Sequence, residues 1–384
     1  MRHDGMHRRY AAHNGAGVAP ADPAPDAGDG AEVIASEPAK GNPAPRIPSR
    51  KVLLVMLGLT AVVVAFFSSY SSSLGKPSPH RIPVAVTAPP AVVDRLSGSP
   101  MLKVQPVADL AKGRVLVEDR TAYGALALPS TGPATLLVAS GGGHAIAALL
   151  TQLGQQEAIA HGTVLRTVDI APTSPYDPNG TVEFYCVIFL GIGGAVGASV
   201  LGRLLGPVRR PRDVLTRLGL AVPYAAFLSA VVTLFADVVY GALVGHFALL
   251  FLTLWLFVTA VCLAVLGVAA LAGIPASALL IVVFILFGNT SCGGAVPRPL
   301  LNGLYAAVNP VLPHGAAVSA LRGVQYFGDR GNGEALLCLA IWAVAGLALM
   351  GIAGLRGMRN RVSPDPEFAV AGRGSRRRLF LAVD

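Results

Sequence analysis

A chain of 384 residues that is 53% hydrophobic and only 13% charged, with a mean hydropathy of +0.60, is too apolar for a soluble globular protein and reads as a membrane protein. Its net charge of +9 does not call for nucleic acid. The excess falls in the N-terminal tail, around Arg209–Arg217 and in the C-terminal tail, where positive charge sets membrane topology and meets anionic lipid.

Residues 1–48 are rich in Ala, Pro, Gly and Asp without apolar periodicity, so a disordered cytoplasmic tail is expected. His3, His7 and His13 sit there without a metal-ligand pattern. The first transmembrane helix is expected over 52–70. Arg46, Arg50 and Lys51 before it place its start in the cytoplasm.

Residues 76–182 read as an extracytoplasmic α/β insert. Strands are expected at Ile82–Thr87, Arg114–Glu118, Tyr123–Leu128, Thr135–Ala139 and Thr163–Ile170. Helices are expected at Val92–Leu96, Val104–Gly113 and His144–Ala160. The run Ser140-Gly141-Gly142-Gly143-His144 lacks the Lys-Ser/Thr ending of a phosphate loop and reads as a turn before a helix.

From Glu183 to Thr290 the chain is almost continuously apolar, cut into pieces of about 20 residues, the length of a membrane-crossing helix. Helices are expected at Glu183–Leu205, Leu220–Leu243, Phe247–Leu271 and Ile274–Phe287, with a last one at Ala335–Leu355. Gly193 and Gly197, four apart, let neighbouring helices approach closely. The loop Gly206–Leu218 carries Arg209, Arg210, Arg212 and Arg217, and its charge makes it cytoplasmic. Asp237 stands out as an acid inside the apolar block, a candidate pathway residue or an acid near the outer mouth.

Residues 291–330 are too apolar for a free loop and too broken by Pro and Gly to span. Two short helices at, or dipping into, the outer interface are expected, with Cys292, Gly293, Gly294, Pro297, Pro313, His314 and Arg322 as the residues of interest. His314 and Arg322 are expected to be an interfacial, solvated pair. The four cysteines (Cys186, Cys262, Cys292, Cys338) lie in or beside apolar segments and read as buried thiols. Arg356, Arg359 and Arg361 after the last helix, and the basic tail over 356–384, put the C-terminus in the cytoplasm too.

The fold class is therefore an α-helical polytopic membrane protein of six transmembrane helices with a small α/β insert between helices one and two. The expected location is a bacterial plasma membrane, with the lipid bilayer as partner. Paired carboxylates, a His/Glu metal cluster and a serine nucleophile elbow are not seen in the sequence, so no enzyme activity and no catalytic, cofactor-binding or metal residue is expected.

This layout resembles the permeases of type-2 ABC exporters, nearest the phage infection protein-like branch. The resemblance covers roughly Val52 to Leu355. It is carried by Asp177-Pro178, the glycine-rich second helix, the basic loop Arg209–Arg217, the run from Gly288 to Pro297, and the run from Leu312 to Gly328. It implies an exporter half that works as a homodimer, with the insert projecting outward. It also implies that Val208–Arg217 docks on an ATP-binding subunit and that Pro297–Phe327 forms re-entrant helices near the substrate exit. The sequence holds no Gly-Lys-Ser/Thr phosphate loop, so that ATPase is expected to be a separate protein. The competing expectation is a non-transporting envelope receptor, scaffold or assembly factor acting through the insert.

Overall fold

The computed structural model describes residues 49–75 and 77–362. The expected tail over 1–48 and the basic cluster Arg373–Arg378 lie outside the described residues. The chain divides into two compact units, Met1–Leu54 and Val55–Asp384. Of the first, only the opening turns of a helix are described, and the second holds all the other elements.

Six helices are long and apolar enough to cross a bilayer, compatible with a multi-pass membrane protein. They are α1 (Ser49–Leu74), α5 (Val182–Leu205), α6 (Pro211–Leu234), α7 (Phe247–Ala272), α8 (Ile274–Val283) continued through a π turn into α9 (Asn289–Ser291), and α12 (Gly333–Val362). Between α1 and α5 stand β1 (Ile82–Thr87), α2 (Pro90–Ser97), β2 (Leu102–Pro106), α3 (Leu110–Glu118), β3 (Gly124–Ala127), β4 (Ala134–Val138), α4 (His144–Ala160) and β5 (Leu165–Asp169). Between α9 and α12 stand α10 (Gly303–Val308) and α11 (Pro313–Phe327).

Local chemistry sets the helix ends. Asp177 opens α5: its carboxylate accepts from the backbone N–H groups of Thr181 at 3.0 Å and Val182 at 2.7 Å. The start of α6 departs from the expected Leu220. Pro211 occupies the first helical position, and Asp213 reaches back to the N–H groups of Arg209 and Arg210 at 2.8 and 2.9 Å. These start signals outweigh the charge of the stretch, so the basic loop shrinks to residues 206–210 and Arg212 and Arg217 are helical. At its other end α6 runs into a π turn, Phe235–Val239, and the link to α7 occupies 240–246, with Ala242 and Leu243 buried. The helix expected to stop at Phe287 instead reaches Ser291 through the second π turn.

The strongly buried α7 is the centre of the helical core, lined by Leu254, Phe257, Val258, Val261 and Val265. The glycines of α5 hold its neighbours at close range. The Tyr224 hydroxyl of α6 donates to the Gly193 carbonyl at 2.9 Å, and its ring lies over Gly197. On α7, the Cys262 thiol donates to the Gly194 carbonyl at 3.3 Å. All four cysteines are free thiols, with Cys338 half-buried and the others buried. In contrast α1 is exposed along most of its length. Its last turns are tied down by polar contacts: the Ser73 hydroxyl donates to the Thr290 carbonyl at 2.6 Å, and the Tyr305 hydroxyl to Ser69 Oγ at 2.8 Å.

The α/β unit is a five-stranded mixed sheet in the order β2-β1-β3-β4-β5, in which only the β3–β4 pair is antiparallel. One expectation fails here. Val104–Gly113 is not a helix and Arg114–Glu118 is not a strand. The Asp109 carboxylate instead accepts from the Lys112 N–H at 2.7 Å and starts α3 after β2 has ended. Gly113 and Val117, four apart, then face the sheet, and a methyl on Gly113 would sit 2.8 Å from Ala125 Cβ. The apparent alternation of Arg114-Val115-Leu116-Val117-Glu118 is one helix face seen at short range.

Strand alternation gives the sheet two apolar faces. Val84, Val86, Leu126, Leu136 and Val138 pack with α2 and α4, and this core extends to Val296, Leu300, Leu301 and Tyr305. Ala85, Ala125 and Leu137 pack with α3, and this core extends to Phe327. The segment between α9 and α12 thus grips the sheet on both faces, so the α/β unit is built into the helical body.

Candidate functional site

The turn after α9 and the last turns of α11 form the floor of a cavity whose roof is the α/β unit. The glycine run before α4 is the seat of this junction. Side chains on Gly141 and Gly142 would meet the Tyr326 and Phe327 rings, and one on Gly143 would lie 2.6 Å from Pro297. The run is a turn before a helix, as expected, but its three small residues also leave space for the segment docking on them.

Arg322 lies at the centre of the floor, only 6% exposed. Its guanidinium donates to the carbonyls of Gly293 at 2.9 Å, Gly294 at 2.7 Å and Gly180 at 3.2 Å, while its Nε–H has no acceptor. It thereby stitches the Gly293–Gly294 turn to the loop before α5. Among the described residues it forms no ion pair within salt-bridge distance.

The cavity beside it has a volume of about 540 Å³. Arg120, Arg298 and Arg322 line it, as do Tyr123, Ser319 and Asn309, with Asp119 and Glu334 exposed at its edge. Arg120, in the turn after α3, donates to Asn332 Oδ1 and to Ser319 Oγ, both at 2.8 Å, and lies 5.5 Å from the centre of the Phe327 ring. Burial lowers the pKa of its guanidinium, and the positive charge of Arg322 pushes in the same direction. The Tyr123 phenol is shifted upward by burial and pulled back by the charges of Arg322, Arg120 and Arg298, so three guanidinium fields converge on it.

Glu183, the first acidic residue of α5, is fully buried, and neither carboxylate oxygen has a hydrogen-bond donor. Its neighbours are Arg322 and the Tyr326 hydroxyl. Burial, then the Glu183 charge, drives the Tyr326 phenol well above its ordinary range.

The expected solvated pair of His314 and Arg322 is overturned, since both are buried. The cause is room made by glycine. Methyl groups on Gly191 and Gly288 would lie 2.6 Å from His314 Nε2 and 2.5 Å from Nδ1. Phe257 and Phe284 close the rest of the niche, with ring centres 5.2 and 5.5 Å from that of the imidazole. His314 therefore acts as a core ring. Pro313 beside it occupies the first turn of α11.

Of the residues singled out from sequence, Cys292, Gly293, Pro297 and Arg322 line the cavity, and Gly294 supplies a carbonyl to Arg322. Pro313 and His314 lie outside it. Asp237 sits half-buried in the π turn ending α6, with no ion pair among the described residues. Sequence reasoning missed Arg120, Tyr123, Arg298 and Glu183. The Asp109 cap, which fixes where α3 starts, was a signal that 114–118 is helical, so that Arg120 follows a helix and not a strand. Glu183, expected as the first residue of a helix, is the second residue of α5, and its burial there carries no local sequence signal.

At the opposite end of the helices, Arg209, Arg210 and Arg212 are exposed, as are Arg203, Arg356 and Arg359. Arg217 is not part of this surface. It is 3% exposed and donates to the Asp213 carbonyl at 3.0 Å and to the Gly206 carbonyl, clamping the α5–α6 hairpin. Gly357 of α12 packs on the Arg209 backbone, where a methyl would come within 2.8 Å of Cα.

No model of a known protein family matches the chain, and no curated protein or solved structure matches it.

Proposed function

We propose that the protein is a multi-pass permease-like component of a bacterial plasma membrane that moves a hydrophobic or amphipathic substrate outward, in the manner of type-2 ABC exporter permeases. In this reading both termini are cytoplasmic, the α/β unit faces outward, two copies form a homodimer and a separate ATP-binding subunit docks on the exposed Arg209, Arg210 and Arg212.

The observation that carries the reading is the course of α12. Its first residues, Gly333, Glu334 and Ala335, line the cavity. Its Gly354 and Gly357 pack under the backbone of Arg210 and Arg209. At a rise of about 1.5 Å per residue, a single helix links the two places over about 36 Å. A push on the basic loop has a rigid path to the cavity, which is the mechanical requirement of a coupled exporter. Arg217 supports it from within by fixing the hairpin, so it is withdrawn from the contact surface.

The test is a gentle-detergent purification of the tagged protein, scored for a co-purifying ATPase, beside a variant with Arg209→Glu, Arg210→Glu and Arg212→Glu. Binding to the native protein and loss on charge reversal support the reading. A homo-oligomer or an envelope partner without an ATPase sinks it. That outcome would favour a receptor or assembly factor. The observation on that side is β5, an edge strand of the sheet, with Val164 just before it and Ile159 on α4 both exposed.

A further inference from the structure

We propose that the cavity between the α/β unit and the segment 292–335 is a binding site for a phosphate group carried on a larger organic body. The argument starts from charge. Arg322 is buried and Arg120 half-buried, neither has a carboxylate within salt-bridge distance among the described residues, and both are bonded to neutral oxygens; the buried Glu183 is near Arg322 but beyond that distance. One buried carboxylate does not balance three guanidinium groups around one cavity, and desolvated guanidinium charge in excess is costly unless an anion completes it. Arg298 adds a third cation, its Nε–H held by the Ala306 carbonyl at 3.1 Å.

The three arginines come from separate elements: the turn after α3, the stretch after the Gly293–Gly294 turn, and α11. They approach one space from different directions. A planar carboxylate is met by a single fork, whereas a tetrahedral oxyanion accepts from several directions at once, and Arg is suited to it. Ser319, Asn309 and Tyr123 add neutral polar groups to the wall.

The size sets the rest of the ligand. About 540 Å³ is several times the space of a free phosphate and within the usual range for small organic ligands. Val117, Ala122, Ala139, Phe327 and Ala335 line the remainder with apolar surface. Asp119 and Glu334 stand at the exposed edge, where they oppose an anion that sits shallow more than one that sits beside Arg322. The assignment does not depend on coupling to an ATPase, since a receptor would use the same cavity.

The test is equilibrium binding to the purified full-length protein with two probes, inorganic phosphate and short-chain phosphatidic acid below its micelle concentration. Saturable binding of either is expected. Arg120→Gln and, separately, Arg298→Glu should each weaken it about tenfold or more, the worth of one charge-assisted bond. Tighter binding of the lipid identifies a lipid headgroup, while phosphate binding that the lipid does not compete identifies a soluble phosphorylated compound. If Arg120→Gln does not give a monodisperse protein, Arg298→Glu carries the test, because its side chain is exposed. Absence of saturable binding to the native protein by both probes overturns the site. So does binding left unchanged in the well-folded variants.

Discussion

Gly346 of α12 lies directly on the backbone of α7 at Gly267, so close that a side chain on either would collide with main-chain atoms of the other helix. Backbone cannot step aside as a flexible side chain can. Gly346→Leu is expected to destabilise the protein by about 3 kcal/mol or more, read as a lower midpoint of thermal unfolding in detergent. Gly351, on the same helix, has open space where a Cβ would sit. Gly351→Ala should be neutral or raise the midpoint slightly, because Ala is the better helix former. Equal effects at both positions would refute the close helix contact.

The seat of the α/β unit makes a second prediction. A side chain at Gly141 must displace the Tyr326 ring. Gly141→Val should loosen the unit from α11 while leaving the six long helices folded. Hydrogen exchange would report it as lost protection in β4, β5 and the end of α11, with protection kept in α7. Uniform loss, or none, would count against the two-faced grip on the sheet.

Arg217 and Arg212 lie five residues apart on α6 and should behave differently. Arg217→Ala leaves the Gly206 and Asp213 carbonyls without their buried donor and should cost about 1–3 kcal/mol of stability. Arg212→Ala removes an exposed charge and should leave the unfolding midpoint where it is. Under the proposed function its effect should instead be on capture of a separate ATP-binding subunit.

Glu118 gives a prediction about pH. Hydrogen bonds from Arg114 and Arg330 hold its carboxyl below the usual carboxylate range. A carboxyl with a lowered folded pKa stabilises fully above its unfolded value, about 4.3. That contribution is lost as the pH falls through the lowered folded value. Native protein and Glu118→Gln should therefore differ slightly at pH 7 and converge as the pH is lowered through the folded value of Glu118, measured as the difference in unfolding midpoint. A gap that persists in acid would mean that the glutamine disturbs packing instead of removing an ion pair. Both partners are exposed, so raising the salt concentration should also narrow the gap.

The helical part was legible because lipid-length apolar runs are long, continuous signals, and all six appear where hydropathy places them. Their ends were less so. A proline and an aspartate moved the start of α6 by nine residues, and a capping aspartate converted an expected strand into α3. These signals are single residues, easily outweighed in reading by a run of charge or an apparent alternation. The site was legible only in part. The broken segment around Cys292, Gly293, Pro297 and Arg322 attracts notice through its Pro and Gly content. That Arg120 meets it from 199 residues away at Ser319 depends on how the α/β unit is seated, which no local pattern encodes. The burial of His314 is of the same kind, since it rests on the absence of side chains at two glycines on other helices.

The anchoring of α1 also bears on the order in which the protein is made. Ser73 waits for Thr290, which follows it by 217 residues, and Ser69 waits for Tyr305, which follows by 236. During synthesis the first helix therefore emerges long before the groups that will hold it exist. It must persist alone until the rest of the chain arrives, supported by its apolar length and not by neighbours. Its serines, gathered in the last turns, keep their polar groups near the end of the helix during that interval. The final fastening of α1 is thus a late event, completed only when α8, α9 and α10 have been made.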